Sequence, residues 1–209
     1  MENSQDTTAL SNLATPIAIV IAGGLVALGL FYGSSGTGPA AVTPTENEPP
    51  TVVAVTEADH IRGSVSAPVT IIEYTDLECP FCKQFHGTMQ TIKSTYGDQV
   101  AWVIRNFPLE QLHPNAPRLA EAAECVAELG GNNAYWAFLD ELFRRAPLNT
   151  PFDMTKLTEA VGSVGVNTTN FNSCLESGRH KAKIQQEIQD AIASGGTGTP
   201  HNIIVVRGE

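Results

Sequence analysis

Residues 69–82 read VTIIEYTDLECPFC, and this stretch decides the fold. Its first half, VTIIEYT, is a short β-branched and apolar run of the kind found in strands buried on both faces. Cys79 and Pro80 then mark the start of a helix, because proline favours the first helical position and leaves the residue before it as the cap. Apolar residues at spacings of four, four, three and four predict one buried stripe before a Gly97 stop: Phe81, Phe85, Met89, Ile92 and Tyr96.

The two cysteines of this stretch predict redox chemistry. The Cys79 sulfur is expected at the helix amino terminus, near unpaired backbone N–H groups and the positive end of the helix dipole. A thiolate is stabilised there, and the pKa of such thiols falls from about 8.5 into a range of roughly 3.5 to 7.5. Cys82 lies one turn further into the helix, where it is shielded and suited to be the resolving thiol.

Two other interpretations of the same cysteines stay open. Cys79, Cys82 and His86 form C-x2-C-x3-H, which could hold a metal ion, and the two cysteines could also be inert thiols. A structural zinc site needs a fourth ligand at similar spacing, and no second C-x2-C or nearby histidine pair supplies one. On its own, His86 is interpreted as a residue of the helix surface.

Glu73 is a candidate proton carrier. It falls on the same strand face as Val69 and Ile71, six residues before Cys79. A carboxyl group in that position is expected to be partly buried, with its pKa raised by desolvation. It could then carry protons to and from Cys82 during thiol–disulfide exchange. The alternative is an exposed acid at the end of the strand.

The remaining sequence contains two strands separated by a helical block. Residues 100–106, VAWVIRN, predict a second buried strand, and residues 116–194 have helical periodicity throughout. We therefore predict a helical insertion at about residues 114–194, followed by a last strand at residues 203–206. Pro200 directly precedes that strand, and cis peptide bonds concentrate at X-Pro in tight turns, so Pro200 is a candidate for one.

Cys125 and Cys174 lie on apolar faces of the predicted helices. They could be separate core thiols, which is the usual state of a buried cysteine. If the domain lies outside the cytoplasm, a structural disulfide between them is favoured, because two free thiols rarely persist in oxidising surroundings.

Charge and composition exclude several classes of protein. The chain has 209 residues, with 12 basic and 22 acidic side chains, a formal charge of −10, and 42% hydrophobic residues. This apolar content excludes a disordered or fibrous chain. All basic residues lie at or after Arg62, and no cationic stripe is formed, so a nucleic-acid partner is not expected.

The amino-terminal region predicts a membrane anchor. Residues 13–32 are dominated by Ile, Val, Leu, Ala and Gly, and residues 17–22 are apolar all round. Twenty helical residues rise about 30 Å, enough to cross a bilayer. A cleaved signal peptide would begin with a positive stretch and end at a small-x-small site, and neither feature is clear here. We therefore divide the chain into a tail (1–12), an uncleaved anchor (13–32), a Gly/Pro/Ser/Thr linker (33–51) and one folded domain (52–209).

Three stretches of the domain closely resemble the DsbA-like thioredoxin-fold family of thiol:disulfide oxidoreductases. They are residues 59–86, residues 105–116 (RNFPLEQLHPNA) and residues 196–206 (GTGTPHNIIVV), and the CPFC and TP elements are jointly specific. The resemblance implies an α/β thioredoxin fold with a helical insertion. It also implies Cys79 as nucleophile, Cys82 as resolving thiol, Pro200 as a cis-proline that faces them, and Glu73 as the buried glutamate.

The resemblance further implies substrate contacts at Pro80, Phe81 and Thr199. The Cys125 and Cys174 pair is similar to a second cysteine pair of some members. The family continues after the last strand with a further strand and a helix, whereas this chain stops at Glu209, so we expect an incomplete sequence.

The resulting hypothesis is a membrane-anchored, extracytoplasmic dithiol oxidase that introduces disulfides into exported proteins with free thiols. A quinone-linked membrane enzyme would reoxidise it, and neither a cofactor nor a metal ion is expected. Disulfide reduction or isomerisation by the same residues stays open, because direction depends on reduction potential and partner. A membrane-tethered metal-binding module that uses Cys79, Cys82 and His86 is the alternative from another class.

Overall fold

The computed structural model describes residues 50–146 and 150–208 of the chain. The predicted tail, the predicted anchor and most of the predicted linker lie outside the described residues. Among the residues that are described, no helix is long and apolar enough to cross a membrane.

Within residues 50–146 and 150–208, four strands form one mixed sheet in the order β1-β3-β2-β4. The two central strands are parallel, with Val69 opposite Val100 and Thr75 opposite Asn106, and the two outer strands are antiparallel to their neighbours. Parallel strands require a crossover connection, and the helix that begins directly after Cys79 supplies it. The strands are β1 (His60–Arg62), β2 (Val69–Thr75), β3 (Val100–Asn106) and β4 (His201–Val206).

In the part of the chain that the structure describes, five α-helices surround the sheet, and four of them lie between β3 and β4. The long second helix is interrupted at Gly131, whose φ of 74° lies in the left-handed region that glycine tolerates without a side-chain clash. The run of helices after β3 agrees with the helical periodicity of the sequence. They are α1 (Pro80–Tyr96), α2 (Ala116–Arg145), α3 (Leu157–Ser163), α4 (Thr168–Ser177) and α5 (Lys181–Ala193).

Each face of the sheet has its own apolar core. On one face Ile71, Trp102 and Ile104 belong to a large cluster that includes side chains from α1, α2, α3 and α4. On the other face a smaller cluster joins Ile72 and Val103 to α5. Both faces of β2 and β3 are therefore buried, as their continuous apolar sequences predict.

The buried face of α1 differs from the predicted stripe. Phe81 is 65% exposed and Tyr96 is 53% exposed, whereas Cys82, His86 and Met89 are buried. The interpretation of His86 as a surface residue is therefore wrong. An apolar pattern counts a histidine as polar, but here Asp140 lies 2.7 Å from its Nε2, and this partner makes burial of the ring tolerable.

Candidate functional site

Cys79 and Cys82 lie at the beginning of α1. Cys79 is the cap residue, Pro80 occupies the first turn, and both thiols are free and buried. The backbone N–H of Cys79 donates to the carbonyl oxygen of Asp76 at 3.1 Å, which closes the turn between β2 and the helix. The end of a buried strand and the start of a helix thus fix the positions of both sulfurs.

The pKa values of the two thiols are shifted in opposite directions. A hydrogen bond from the Cys82 side chain lowers the pKa of Cys79 to about 5; burial opposes this shift, and the backbone N–H groups of Cys82 and Phe81 add to it. Burial raises the pKa of Cys82 far above its usual range, and the hydrogen bond with Cys79 acts in the same direction. Cys79 is therefore a thiolate near neutral pH, and Cys82 holds its proton.

The loop before β4 faces Cys79. The Thr199–Pro200 peptide bond is cis, and the carbonyl oxygen of Thr199 lies 3.6 Å from the Cys79 sulfur. Thr199, Pro200 and Pro80 are half-buried, and the Phe81 ring is largely exposed beside them. The residues predicted to contact substrate therefore lie on α1 and on this loop, on either side of one sulfur.

Glu73 is buried on β2, the strand that leads to the cysteines. Its carboxylate oxygen Oε2 accepts a hydrogen bond from Trp102 Nε1 at 2.9 Å. Burial raises the pKa of Glu73 to about 7, although the nearby Thr75 hydroxyl and the hydrogen bond from Trp102 favour the charged form. A carboxyl group with this pKa exchanges a proton readily near neutral pH.

Asp76 and His113 are site residues that sequence reasoning missed. The backbone N–H of Asp76 points to the Cys82 sulfur at 3.5 Å. The carboxylate of Asp76 is fully buried and accepts from the Glu78 and Leu109 amides, both at 2.8 Å, and from His113 Nδ1 at 2.9 Å. An acidic residue three positions before Cys79 is the sequence feature that could have indicated Asp76. No sequence pattern near Asp76 indicates that His113 lies beside it.

Glu78 connects the turn between β2 and α1 to the helical region through hydrogen bonds. Its carboxylate accepts from the backbone N–H and side-chain amide of Asn115 and from the backbone N–H of Phe152, each at 2.9 Å. A groove lies beside this contact, next to the start of α1. It is lined by Glu78, Pro80, Leu112, His113, Pro114, Thr150 and Pro151.

The structure does not bring Cys79, Cys82 and His86 together as metal ligands. Within the described residues, the only group of three or more potential ligand side chains that converge is Cys125, Cys174 and His180. The His86 ring instead contacts the rings of Trp102 and Phe143, at centroid distances of 4.9 and 4.8 Å. Cys125 and Cys174 are joined by a disulfide, with their Cα atoms 5.9 Å apart.

Comparison with known proteins defines the family. Residues 55–206 match the family described as Thioredoxin, and the chain belongs to this family. The predicted α/β thioredoxin fold is thereby confirmed. The membrane-anchored type of the family stays a prediction.

Similar solved structures are of DsbA type. DsbA2 of Pseudomonas aeruginosa is 27% identical, with a TM-score of 0.58 over 72% of this chain and 82% of that one. BdbD of Bacillus subtilis in its oxidised form is 18% identical, with a TM-score of 0.66 over 78% of this chain and 91% of that one. Wolbachia pipientis alpha-DsbA1 is 24% identical, with a TM-score of 0.62 over 73% and 77%. These similarities confirm a DsbA-like fold.

Similar curated proteins are much longer than the matched region. The Na(+)/H(+) antiporter NhaA 1 of Mycolicibacterium gilvum is 33% identical over 144 residues, which is 69% of this chain and 23% of that protein. NhaA 3 of Salinispora tropica is 35% identical over 144 residues, 69% of this chain and 21% of that protein. The chain thus spans less than a quarter of the length of these relatives.

We predict that Cys82→Ala raises the pKa of the Cys79 thiol. The reduced protein should show a thiolate titration with a midpoint near pH 5, and loss of the Cys82 hydrogen bond should move the midpoint toward the ordinary value of about 8.5. Ultraviolet thiolate absorbance against pH measures this shift. Phe81→Ala is the matched control, because it keeps the backbone N–H groups, and a wild-type midpoint above about 8 would contradict the assignment.

Replacing Glu73 by Gln should remove a pH-dependent loss of stability. The carboxyl has a pKa of about 7 in the folded protein against an ordinary value of 4.5, so between these values the folded state keeps a proton that the unfolded state releases. The contribution of this carboxyl to the unfolding free energy is complete below the unfolded-state pKa of 4.5. It is lost as the pH rises through the folded-state pKa of about 7. The variant should therefore gain up to ~3 kcal/mol of unfolding free energy relative to wild type between about pH 5 and about pH 8.

Urea unfolding at the two pH values measures this difference. Glu57→Gln, at an exposed acid, is the control and should parallel wild type. An identical pH dependence of the Glu73→Gln variant and wild type would refute the buried, proton-holding state of Glu73.

His113→Ala should slow the reaction of the Cys79–Cys82 disulfide with glutathione. Cys82 leaves as a thiolate in this reaction, and the Asp76 amide that points to its sulfur is held in place by the carboxylate that His113 contacts. Losing one hydrogen bond to a buried charge should cost about tenfold in rate. Quenched-flow alkylation measures the rate. Leu112→Ala, at an exposed neighbour, should react like wild type, and equal rates in all three proteins would exclude a role for His113.

Proposed function

We propose that this protein is a thiol:disulfide oxidoreductase, and specifically a dithiol oxidase that introduces disulfides into exported proteins. The observation that carries the proposal is the asymmetry of the dithiol. The Cys79 pKa of about 5 stabilises the thiolate of the reduced form, whereas Cys82 is buried and holds its proton. A stable reduced form makes the Cys79–Cys82 disulfide a strong oxidant.

The first step is attack by a substrate thiolate on the sulfur of Cys79 in the disulfide form. A bond forms between the substrate and Cys79 sulfurs, the Cys79–Cys82 bond breaks, and Cys82 leaves as a thiolate. The Asp76 amide, 3.5 Å from this sulfur, stabilises the departing charge. Glu73, with a pKa of about 7, is proposed as the source of the proton that Cys82 then takes up.

The second step releases the oxidised substrate. A second substrate thiolate attacks the substrate sulfur of the mixed disulfide, and Cys79 leaves as its stabilised thiolate. The substrate has then lost two electrons, which the protein holds as the Cys79 thiolate and the Cys82 thiol. The exposed Phe81 ring and the backbone of Thr199 flank the mixed disulfide, so together with Pro80 they are proposed to position the substrate.

The location and partners are part of the proposal. The apolar residues 13–32 would anchor the chain in the cell membrane, with the catalytic domain outside the cytoplasm, where its substrates acquire disulfides. A quinone-linked membrane enzyme would accept the two electrons and restore the disulfide. Anchoring would keep both proteins in one plane. Ion antiport is not proposed, because the match covers less than a quarter of the antiporters' length.

Reduction or isomerisation of disulfides is the second candidate, because the same residues run the same steps in reverse. The acidic Cys79 thiol argues against it, since a stabilised thiolate disfavours donation of electrons. A metal-binding module of Cys79, Cys82 and His86 has less support, because His86 pairs with Asp140.

The reduction potential of the Cys79–Cys82 pair tests the proposal. Equilibration with glutathione buffers should give a potential well above the cytosolic poise of roughly −220 to −320 mV, and the oxidised protein should form disulfides stoichiometrically in a reduced, unfolded substrate. Cys79→Ser should abolish this reaction. A potential near −270 mV with active disulfide reduction would instead identify a reductase. A reporter enzyme fused after Glu209, active only outside the cytoplasm, tests the location.

A further inference from the structure

A second group of chemically reactive side chains lies away from the active pair, around the Cys125–Cys174 disulfide. The sulfurs of these cysteines and a ring nitrogen of His180 all lie within 4.8 Å of one another. Cys125 belongs to α2, Cys174 to α4, and His180 is the cap residue of α5. Three helices therefore converge on one small cluster.

A carboxylate completes the cluster. Glu128 follows Cys125 by three residues on α2, so the two side chains share a helix face. Its Oε2 atom lies 3.9 Å from the Cys174 sulfur and 3.0 Å from His180 Nε2. The four side chains supply two sulfurs, one imidazole nitrogen and one carboxylate oxygen, which are all ligands that zinc accepts in four-coordinate sites.

His180 carries the second observation that points to a ligand. Its Nε2 atom is buried and, among the described residues, has no hydrogen-bond partner of acceptable geometry, although Glu128 is close. Most buried polar atoms have a partner, so an unpartnered nitrogen on a ring that lies beside two sulfurs requires an explanation. The His180 side chain is 18% exposed and that of Glu128 is 39% exposed, so an ion can reach the cluster from solvent.

We propose that the Cys125–Cys174 pair, when reduced, binds a soft divalent metal ion such as Zn²⁺ together with His180 and Glu128. Reduction by a dithiol transfers two electrons and two protons to the pair and leaves the dithiol as a disulfide. The metal ion then displaces the two thiol protons. In the oxidised form the sulfurs are bonded to each other, so metal binding and the disulfide exclude one another.

The geometry requires only small movements. Bond lengths of about 2.3 Å to sulfur and about 2.0 Å to nitrogen place tetrahedral ligand atoms roughly 3.5 to 3.8 Å apart. The two sulfurs and the His180 nitrogen, which lie within 4.8 Å of one another, reach this spacing by side-chain rotation and shifts of about 1 Å. Glu128 Oε2 lies 3.9 Å from the Cys174 sulfur and 3.0 Å from His180 Nε2, so it needs movements of similar size. Arg179, whose Nε lies 3.0 Å from Glu128 Oε2, balances the negative charge that two thiolates and a carboxylate leave on the complex.

The consequence is a crosslink with two interchangeable forms. In oxidising surroundings the disulfide ties α2 to α4, and in reducing surroundings the metal ion ties α2, α4 and the start of α5 together. The bound metal also keeps the two sulfurs from exchanging with the Cys79–Cys82 pair, because a coordinated thiolate is no longer a free nucleophile. This inference does not depend on the direction in which the active pair works.

Cobalt titration of the full-length Cys79→Ala/Cys82→Ala variant tests the proposal, because this variant keeps a single cysteine pair. After reduction and anaerobic desalting, one Co²⁺ per chain should bind with a sulfur-to-cobalt charge-transfer band and the visible bands of a tetrahedral site. Zn²⁺ should displace it, and the oxidised variant should bind none. Absence of stoichiometric binding by the reduced protein would overturn the proposal.

Further substitutions in the same background identify the ligands. His180→Ala should weaken binding by about tenfold or more, and Glu128→Gln should weaken it and alter the visible bands. Glu176→Gln, at an exposed acid of α4, is the matched control and should bind like its parent. If His180→Ala leaves the Co²⁺ affinity unchanged, the site is a simple dithiol without His180. If Glu128→Gln leaves both the affinity and the visible bands unchanged, Glu128 is not a ligand.

Circular dichroism separates binding from folding. If reduction lowers the helical signal, Zn²⁺ should restore it, because a metal that binds the folded state stabilises that state. Failure to restore the signal in that case would also overturn the proposal.

Discussion

The buried carboxylate of Asp76 is the contact on which the active site depends. It lies directly after β2 and accepts hydrogen bonds from two backbone amides and from His113. A buried carboxylate is tolerated only when its oxygens are paired, so these donors hold the turn in one conformation. That conformation directs the Asp76 amide to Cys82 and allows the Cys79 amide to close the turn. The spacing of the sulfurs follows from this arrangement.

The sheet supplies the second constraint, because it places a polar network behind the dithiol. Trp102 on β3 donates to Glu73 on β2 and contacts the His86 ring on α1. Asp140 on α2 pairs with both His86 and Arg62, and burial of its carboxylate is outweighed by these hydrogen bonds, which lower its pKa to about 2. Strands and helices around the site are thus connected by paired charges as well as by apolar contacts.

A similar network fixes the opposite end of the helical region. Glu124 on α2 is buried beside His60 and Lys183, and Asn106 donates to it at 2.7 Å. Burial opposes its ionisation, but the hydrogen bond with His60 and the nearby positive charges hold its pKa at about 2. The helices therefore keep a defined position on the sheet, and the loop that carries Pro200 follows the last of them.

Local patterns in the sequence determined the elements and the reactive pair. Three local patterns made the strands, the helix start and the cysteine positions predictable. They are the apolar runs of β2 and β3, Pro80 after Cys79, and the stop at Gly97, and each depends only on residues close together in the sequence. Tertiary structure alone decided which face of α1 is buried, and it placed Phe81 outside and His86 inside. It also brought His113 to Asp76 and His180 to the second cysteine pair, because partners 37 or more residues apart, or on separate helices, leave no periodic signal in the chain.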